Sequence, residues 1–165
     1  MEIPKTLIEV LNKSNVKYEI LHHPAAFTAQ TIAEAEHIKG EHHAKVVMVK
    51  CGDQHLMVVL PADRWIDFEK LEKMLGQTVY LEKELEFKSL FPDCAPGTMP
   101  PFGHLYGLVT YVDKSLAKQD YIVFEAGTHT DAIKLSYLDY ERIAQPQVED
   151  LAIKPHPIKE SGERR

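Results

Sequence analysis

Apolar and polar residues follow two different periods along the chain, which predicts a mixture of helices and strands. Apolar side chains recur at helical spacing over residues 4–15, after a proline suited to a first helical turn. Farther along, the valine-rich residues 45–50 and a second apolar segment that ends at Pro61 flank a Gly52-Asp53 turn. That arrangement predicts an antiparallel hairpin.

The same alternation continues through the middle and the end of the chain. Further strands are predicted at 18–21, 78–81, 108–112, 121–125 and 132–135, and further helices at 29–38, 67–76, 83–90 and 136–144. Strands that are grouped in hairpins and interrupted by short helices favour an α+β fold over a doubly wound parallel sheet. We therefore predict a single α+β domain with a mixed, curled, barrel-like sheet flanked by short helices.

One segment, residues 92–103, fits neither period because it holds four prolines and two glycines. Proline fixes φ and lowers the entropy lost when a loop becomes ordered, whereas Gly97 and Gly103 let the backbone approach a ligand and present amide groups to it. Such a loop is able to hold an ester carbonyl or its oxyanion without a reactive side chain. A rigid surface turn between a helix and a strand is the alternative interpretation.

Length and charge restrict the class of protein. A chain of 165 residues with 44% hydrophobic residues fits one globular domain, which we assign to residues 1–146, with 147–165 as a flexible C-terminal tail. The longest apolar stretches are far shorter than the roughly 20 residues of a membrane-spanning helix, and residues 1–5 do not resemble a secretory signal, so a cytoplasmic protein is expected. The formal net charge of −6 argues against a grip on long duplexes. No DNA partner is expected, and any nucleic-acid contact must be local.

The sequence lacks the short motifs of several large enzyme classes. It has no dinucleotide-binding glycine motif, no Walker phosphate loop, no serine-esterase elbow and no zinc-deaminase signature. Cys51 and Cys94 are too few and too far apart for a disulfide framework or a metal knuckle, so we interpret both as reduced thiols. Histidines cluster at 22–23, 37 and 42–43, but without the spacing of helical metal ligands. We expect solvated histidines, no metal and no cofactor.

Two single residues stand where they would line a cleft. Lys45 opens the valine-rich strand, and its ammonium either points into the cleft as a catalytic or binding group or extends into water. His129 follows Gly127 and Thr128 in a late turn, where it is either another edge of the same cleft or a solvent-facing loop residue. The residues alone leave these alternatives open.

Four motifs, taken in order, resemble the YbaK and prolyl-tRNA synthetase-associated domain family of trans-editing aminoacyl-tRNA deacylases. The motifs are His23-x-x-x-x-Thr28, Lys45 with the following Val-Val-Met-Val-Lys, the Gly97-x-x-x-Pro101 loop that continues into Phe-Gly, and Ala126-Gly127-Thr128-His129. Each motif is short, so the resemblance depends on their order and spacing. It covers the chain from about residue 22 to residue 144.

The resemblance implies hydrolysis of the ester that joins a wrong amino acid to the 3′-terminal adenosine of a tRNA. It implies that Lys45 is needed for activity, that Gly97 belongs to the catalytic loop and that His129 lies near the aminoacyl group. It also implies that the predicted helix at 29–38 limits the size of the amino-acid pocket. The loop at 97–103 and the late turn at 126–129 are implied to surround the adenosine and the ester. The binding residues implied in this way are Thr28, Ile32, Thr98, Met99, Pro100, Pro101, Phe102, Gly103, Gly127 and Thr128.

The leading hypothesis is a free-standing deacylase that acts on the acceptor end of a mischarged tRNA. The expected substrate is tRNA for proline that carries a smaller amino acid such as alanine or cysteine, with delivery by a synthetase or an elongation factor left open. A non-catalytic module that binds a nucleotide end, an aminoacyl group or a protein partner is the alternative. Lys45 together with the intact glycine-proline loop favours catalysis, because a binding module would not require both.

Overall fold

Short helices and a large mixed sheet make up the structure, a computed structural model that describes residues 2–25 and 39–154. The strands are β1 Tyr18–His22, β2 His43–Cys51, β3 Gln54–Pro61, β4 Trp65–Ile66, β5 Val79–Leu81, β6 Val109–Asp113, β7 Tyr121–Glu125, β8 Asp131–Ser136, β9 Gln147–Glu149 and β10 Ala152–Ile153. The α-helices are α1 Lys5–Lys13, α2 Phe68–Leu75, α3 Glu84–Phe87, α4 Lys114–Ala117 and α5 Tyr137–Ala144, and 3-10 helices cover Lys88–Leu90 and Gly103–Tyr106. The predicted helix at 29–38 lies outside the described residues. The α+β class is confirmed.

The main sheet is open and contains both parallel and antiparallel pairs. Its strands run in the order β1-β8-β7-β2-β3-β6-β9, with β5 pairing to β2, so it does not close into the barrel-like form that the sequence suggested. The predicted hairpin is confirmed, since β2 and β3 pair antiparallel from Ala44 opposite Pro61 to Cys51 opposite Gln54. The pairs β2–β7, β3–β6 and β6–β9 are parallel.

One edge of β2 is shared by two different partners. Strand β7 pairs with β2 at His43 and Ala44, and β5 pairs with it over residues 49–51. The stretch from Lys45 to Met48 therefore lies between the two pairings. This interruption of the sheet occurs beside Lys45, where β7 runs on towards the turn that contains Gly127.

Each face of the sheet carries its own apolar core, because successive side chains of a strand point to opposite faces. Ala44 and Met48 of β2 belong to a cluster with α1, α5 and Phe102, whereas Val49 and Cys51 belong to a second cluster with β4 and α2. Lys45 and Val49 are an even number of residues apart on β2, so the Lys45 side chain points to the same face of the sheet as the second cluster. Within the described residues, no helix has the length and apolarity needed to cross a membrane.

Local capping signals explain where two of the predicted helices begin and end. The Asp67 side chain accepts a hydrogen bond from the Lys70 amide at 3.1 Å, and α2 ends at Gly76 with φ +71°. Ser136 accepts a hydrogen bond from the Asp139 amide at 3.3 Å at the start of α5. These caps are the ones that the sequence predicted.

The C-terminal part of the described chain is folded, which corrects the predicted tail over residues 147–153. Strand β9 pairs with β6, and β10 pairs with β4. The buried Asp113 carboxylate accepts hydrogen bonds from the Leu151 and Ala152 amides at 2.7 and 2.8 Å, and Leu151 is completely buried. The Asp113 side chain, at the end of β6, thus holds residues 151–152 in place, although this segment has little hydrophobic periodicity of its own.

Candidate active site

Two loops that are distant in sequence are joined by a reciprocal pair of backbone hydrogen bonds. The Ala95 amide donates to the Gly127 carbonyl at 2.9 Å, and the Gly127 amide donates to the Thr98 carbonyl at 2.9 Å. Residues 95–98 of the glycine-proline loop therefore lie directly against the late turn. The structure brings these two predicted site segments together.

The late turn, residues 126–131, is held by hydrogen bonds to Asp131 and by the close approach of Pro4 to Gly127. The Asp131 carboxylate accepts a hydrogen bond from the Thr128 hydroxyl at 2.6 Å, and its backbone carbonyl accepts one from the Ala126 amide at 3.0 Å. Gly127 has φ +85°, and a Cβ atom there would lie 2.5 Å from Pro4 Cδ. Thr128 is buried in this network, whereas His129 is half-buried at the rim of the turn.

The two glycines of the loop have different environments. Gly97 is exposed with φ +77°, and a Cβ atom built on it would meet nothing within 4 Å. A Cβ atom on Gly103 would lie 2.2 Å from Thr110 Oγ1 and 2.9 Å from the Leu108 carbonyl oxygen. Gly97 has open space around its backbone, whereas Gly103 allows the loop to approach β6 closely.

The inner part of the loop is built into the core. Pro100 and Pro101 are buried, as are the side chains of Met99 and Phe102. The hydroxyl of the fully buried Tyr140 donates to the Pro101 carbonyl at 2.8 Å, and its ring packs edge-to-face on Phe102 with centroids 5.3 Å apart. These residues support the loop from behind, because the protein itself encloses their side chains.

Thr98 belongs to this buried part of the loop. Its side chain is 1% exposed, and its hydroxyl donates to the Ala95 carbonyl at 2.7 Å. That bond closes a tight turn around Pro96 and Gly97, which are the two exposed residues of the stretch 95–98. The accessible part of the predicted binding loop is therefore short and mostly backbone.

Lys45 is half-buried and sits next to the end of β7. It follows the Ala44–Phe124 pair, so its nearest neighbour along β7 is Glu125, two residues before Gly127. Burial lowers the pKa of the Lys45 ammonium, and the nearby Asp63 carboxylate opposes part of that shift. A partly desolvated cation at this position interacts more strongly with a developing negative charge than a lysine in water does.

Two histidines next to this region are buried, which corrects the expectation that the clustered histidines are solvated. His23 and His43 are 7% and 0% exposed, and their Nε2 atoms lie 3.3 and 4.0 Å from Glu125 Oε1. Glu125 was missed from the sequence, because its partners lie on strands and loops far from it. The described residues hold no group of three metal-ligating side chains suited to an ion.

Cys94 is the nucleophilic side chain nearest the joined loops. Both cysteines are free, as predicted, and the Cys94 Sγ would lie 3.6 Å from a Cβ atom at Gly127. Burial raises the pKa of the Cys94 thiol to about 12, so the thiol stays protonated near neutral pH. Its Sγ lies 3.3 Å from the hydroxyl of Tyr106, which donates to Asp93 at 2.9 Å. Cys94 is part of the loop's support and is a poor nucleophile.

The candidate site therefore offers the exposed backbone of Gly97 and the partly desolvated cation of Lys45. The turn at Pro96–Gly97 offers open backbone, the late turn holds that backbone in place, and Lys45 stands beside the strand leading into the turn. Such an arrangement suits the stabilisation of an oxyanion, with water as the attacking group. Thr28 and Ile32, predicted to size a pocket, lie outside the described residues.

Comparisons with known proteins find a matching family model and two similar proteins of known name. The family model of the aminoacyl-tRNA editing domain matches residues 23–143. The multifunctional Ser/Thr-tRNA deacylase ProXp-y of Escherichia coli K12 is 28% identical over 148 residues, covering 86% of this chain and 88% of the relative. The prolyl-tRNA editing protein ProX of Acetoanaerobium sticklandii is 22% identical over 151 residues, covering 88% and 92%.

Solved structures share the fold. The crystal structure of the hypothetical protein APE2540 superposes with a TM-score of 0.81 at 17% identity, covering 90% of this chain and 100% of that chain. A protein proposed to be a trans-editing enzyme for prolyl tRNA synthetase superposes with a TM-score of 0.77 at 19% identity, covering 89% and 94%. At these identities the likeness establishes the architecture.

Proposed function

The chain belongs to the aminoacyl-tRNA editing domain family, and from this premise we propose that it is a free-standing deacylase that hydrolyses the ester of a mischarged tRNA. Water adds to the ester carbonyl, the bond to the ribose oxygen breaks, and that oxygen leaves with a proton. The products are a free amino acid and an uncharged tRNA. The two curated relatives named above are a deacylase and an editing protein of aminoacyl-tRNA, which supports this reaction class.

Within this proposal, Lys45 and the backbone at Gly97 stabilise the negative charge that develops on the carbonyl oxygen. An aminoacyl ester is already activated, so a site that orients one water and stabilises the oxyanion is sufficient. The neighbouring hydroxyl of the terminal ribose orients the attacking water. His129 borders the aminoacyl group from the late turn, and Thr28 and Ile32 limit the size of the side chain that fits. No cofactor takes part.

The proposed substrate is tRNA for proline that carries a smaller amino acid such as alanine or cysteine. One relative is named for prolyl-tRNA and the other for Ser/Thr-tRNA, so the accepted side chain differs among relatives. One methylene is worth about 1–3 kcal/mol in a pocket, which allows a smaller amino acid to be separated from proline by size. Within the proposal the reaction takes place in the cytoplasm, and whether a synthetase or an elongation factor delivers the substrate is left open.

The observation that carries the proposal is the reciprocal hydrogen bonding of the glycine-proline loop and the late turn, together with the partly desolvated Lys45 beside the end of the strand that leads into that turn. The direct test is ester loss from tRNA charged separately with alanine, cysteine, serine, threonine and proline. Lys45→Ala should remove most of the activity without unfolding the protein, because oxyanion stabilisation of this kind is worth about 10²–10³-fold in rate. Lys50→Ala, on the same strand and paired with Tyr80, is the matched control and should keep normal turnover.

The outcomes separate the two hypotheses that the sequence left open. Loss of activity in Lys45→Ala with retention in Lys50→Ala supports the deacylase. Binding of charged tRNA without ester loss in the wild-type protein would instead identify a non-catalytic module. Near-normal turnover in Lys45→Ala would refute the assigned role of that residue.

A further inference from the structure

A second cleft, separate from the joined loops, carries an unusual set of charges. It has a volume of about 270 Å³ and lies between the turn after β3, helices α2 and α4, and the segment that leads into β10. Its cationic lining residues are Arg64, Lys70, Lys114 and Lys118. We call it the cationic cleft. Its acidic lining residues are Glu41, Asp113 and Asp150.

Two of these acids are already engaged by the protein. Asp113 is buried and accepts hydrogen bonds from three backbone amides, those of Ser115, Leu151 and Ala152. Its carboxylate therefore serves the fold and has little capacity left for a ligand.

Asp150 is shared between two lysines. Its Oδ1 lies 3.1 Å from Lys70 Nζ and its Oδ2 lies 3.4 Å from Lys114 Nζ, and these lysines lower the pKa of the carboxyl. An ammonium has three donors, so a donor remains on Lys114 and also on Lys70, which gives one to Asp150 and one to the Ala152 carbonyl at 3.5 Å. With Glu41 and Asp113 included, the four cations and three carboxylates of the lining leave one formal positive charge at the cleft.

Arg64 adds a donor that is suited to phosphate. Its side chain is 25% exposed, and its Nε lies 3.9 Å from the adjacent Asp63, which is too far for a hydrogen bond. A guanidinium presents planar paired donors that match phosphate oxygens. Lys118 is exposed on the far wall of the cleft.

The cleft adjoins the proposed site through the turn after β3. Pro61, which lines the cleft, pairs with Ala44, the residue before Lys45. Asp63 acts on the Lys45 ammonium, and Arg64 follows it and lines the cleft. When the terminal ester of a tRNA lies at Lys45, the backbone phosphates that precede it in the tRNA therefore lie close to the cationic cleft.

We propose that the cationic cleft binds a phosphodiester of the tRNA strand that carries the ester, an inference that rests on the proposed function. A site for one or two phosphates is compatible with a chain whose formal net charge is −6. Single-stranded phosphate contacts each contribute about 0.7 to the slope of log affinity against log salt, so the salt dependence should be shallow.

The test compares a substrate that contains phosphodiesters with one that does not. The double variant Lys114→Gln/Lys118→Gln should lower kcat/KM on aminoacyl-tRNA about tenfold, which corresponds to about 1.4 kcal/mol. Its rate on 3′-aminoacyl-adenosine, which has no phosphate, should stay at the wild-type value. Lys73→Gln/Lys83→Gln removes two exposed lysines outside the cleft and should affect neither substrate.

A binding measurement keeps this inference separate from the proposed function. Fluorescence anisotropy with an uncharged acceptor-stem RNA hairpin should show weaker binding and a smaller salt slope for the double variant. If the wild-type protein hydrolyses neither ester but shows this pattern, the deacylase proposal fails and the phosphate site stands. Equal losses on both substrates, or unchanged RNA binding, would overturn the phosphate site. Lys118→Gln alone, at an exposed position, repeats the comparison if the double variant does not fold.

Discussion

Removing the hydroxyl of Tyr140 should test whether the glycine-proline loop must be held from behind. Tyr140 is completely buried on α5, and its hydroxyl donates to the Pro101 carbonyl at 2.8 Å. Tyr140→Phe keeps the aromatic contact with Phe102 and deletes only that bond. A buried carbonyl left without its donor costs about 1–3 kcal/mol, so we expect a loss of that size in the free energy of unfolding.

The effect on catalysis should exceed what the loss of stability explains. The freed Pro101 carbonyl allows the loop to shift, and misplacement by 1 Å lowers catalytic rates by as much as about 10²-fold. We therefore expect a clear fall in kcat on aminoacyl-tRNA, measured well below the melting temperature, with a smaller change in KM. Burial raises the pKa of Tyr140 well above its usual value, so the hydroxyl is a donor throughout the assay range and the defect should not depend on pH.

Tyr137→Phe provides the matched control. Tyr137 lies on the same helix, is also buried, and gives its hydroxyl to Glu141 at 3.3 Å rather than to the loop. This variant should keep the wild-type kcat. The positioning argument is refuted if both variants have the same kcat, whatever their difference in melting temperature.

Two further predictions concern the backbone and the cation of the site. Gly97→Ala and Gly76→Ala both force a side chain into left-handed backbone with open space around it, so each should lose about 1–2 kcal/mol of stability, but only Gly97→Ala should lower deacylation. Activity that depends on charged Lys45 should fall as pH rises through the lowered pKa of Lys45, which gives the pH–rate profile an alkaline limb. Asp63→Asn should move that limb to lower pH, because the Asp63 carboxylate raises the pKa of Lys45. The pH–rate profile is measured from rates corrected for uncatalysed hydrolysis, with the remote Asp53→Asn variant as the control. An alkaline limb at the same pH in Asp63→Asn and in Asp53→Asn would contradict the assigned effect of Asp63 on Lys45.

The parts of the fold that the sequence predicted are those with local signals. The β2–β3 hairpin has an apolar run on each side of a Gly-Asp turn. Asp67 and Ser136 cap the helices that begin at the next residue. Strand β9 escaped prediction because its three residues are largely exposed and carry no period. Its place is set by pairing with β6, a contact that sequence periodicity does not reveal.

The candidate site divides in the same way. The glycine-proline loop stood out through its composition, and resemblance to a family suggested that it meets Lys45 and the late turn. The burial of His43 against Glu125 depends on strands β2 and β7, which are far apart in the sequence, so no local pattern predicts it. The cationic cleft likewise draws its side chains from several elements, each of which alone looks like an ordinary charged surface.

The paired bonds between Ala95, Thr98 and Gly127 constrain how this site can acquire a new preference. If one loop moved without the other, two amides and two carbonyls would lose their partners together. Variants selected for a bulkier amino acid should therefore keep the lengths of both loops. Their substitutions should instead accumulate in side chains that border the opening, and the main-chain path should stay the same from one preference to the next.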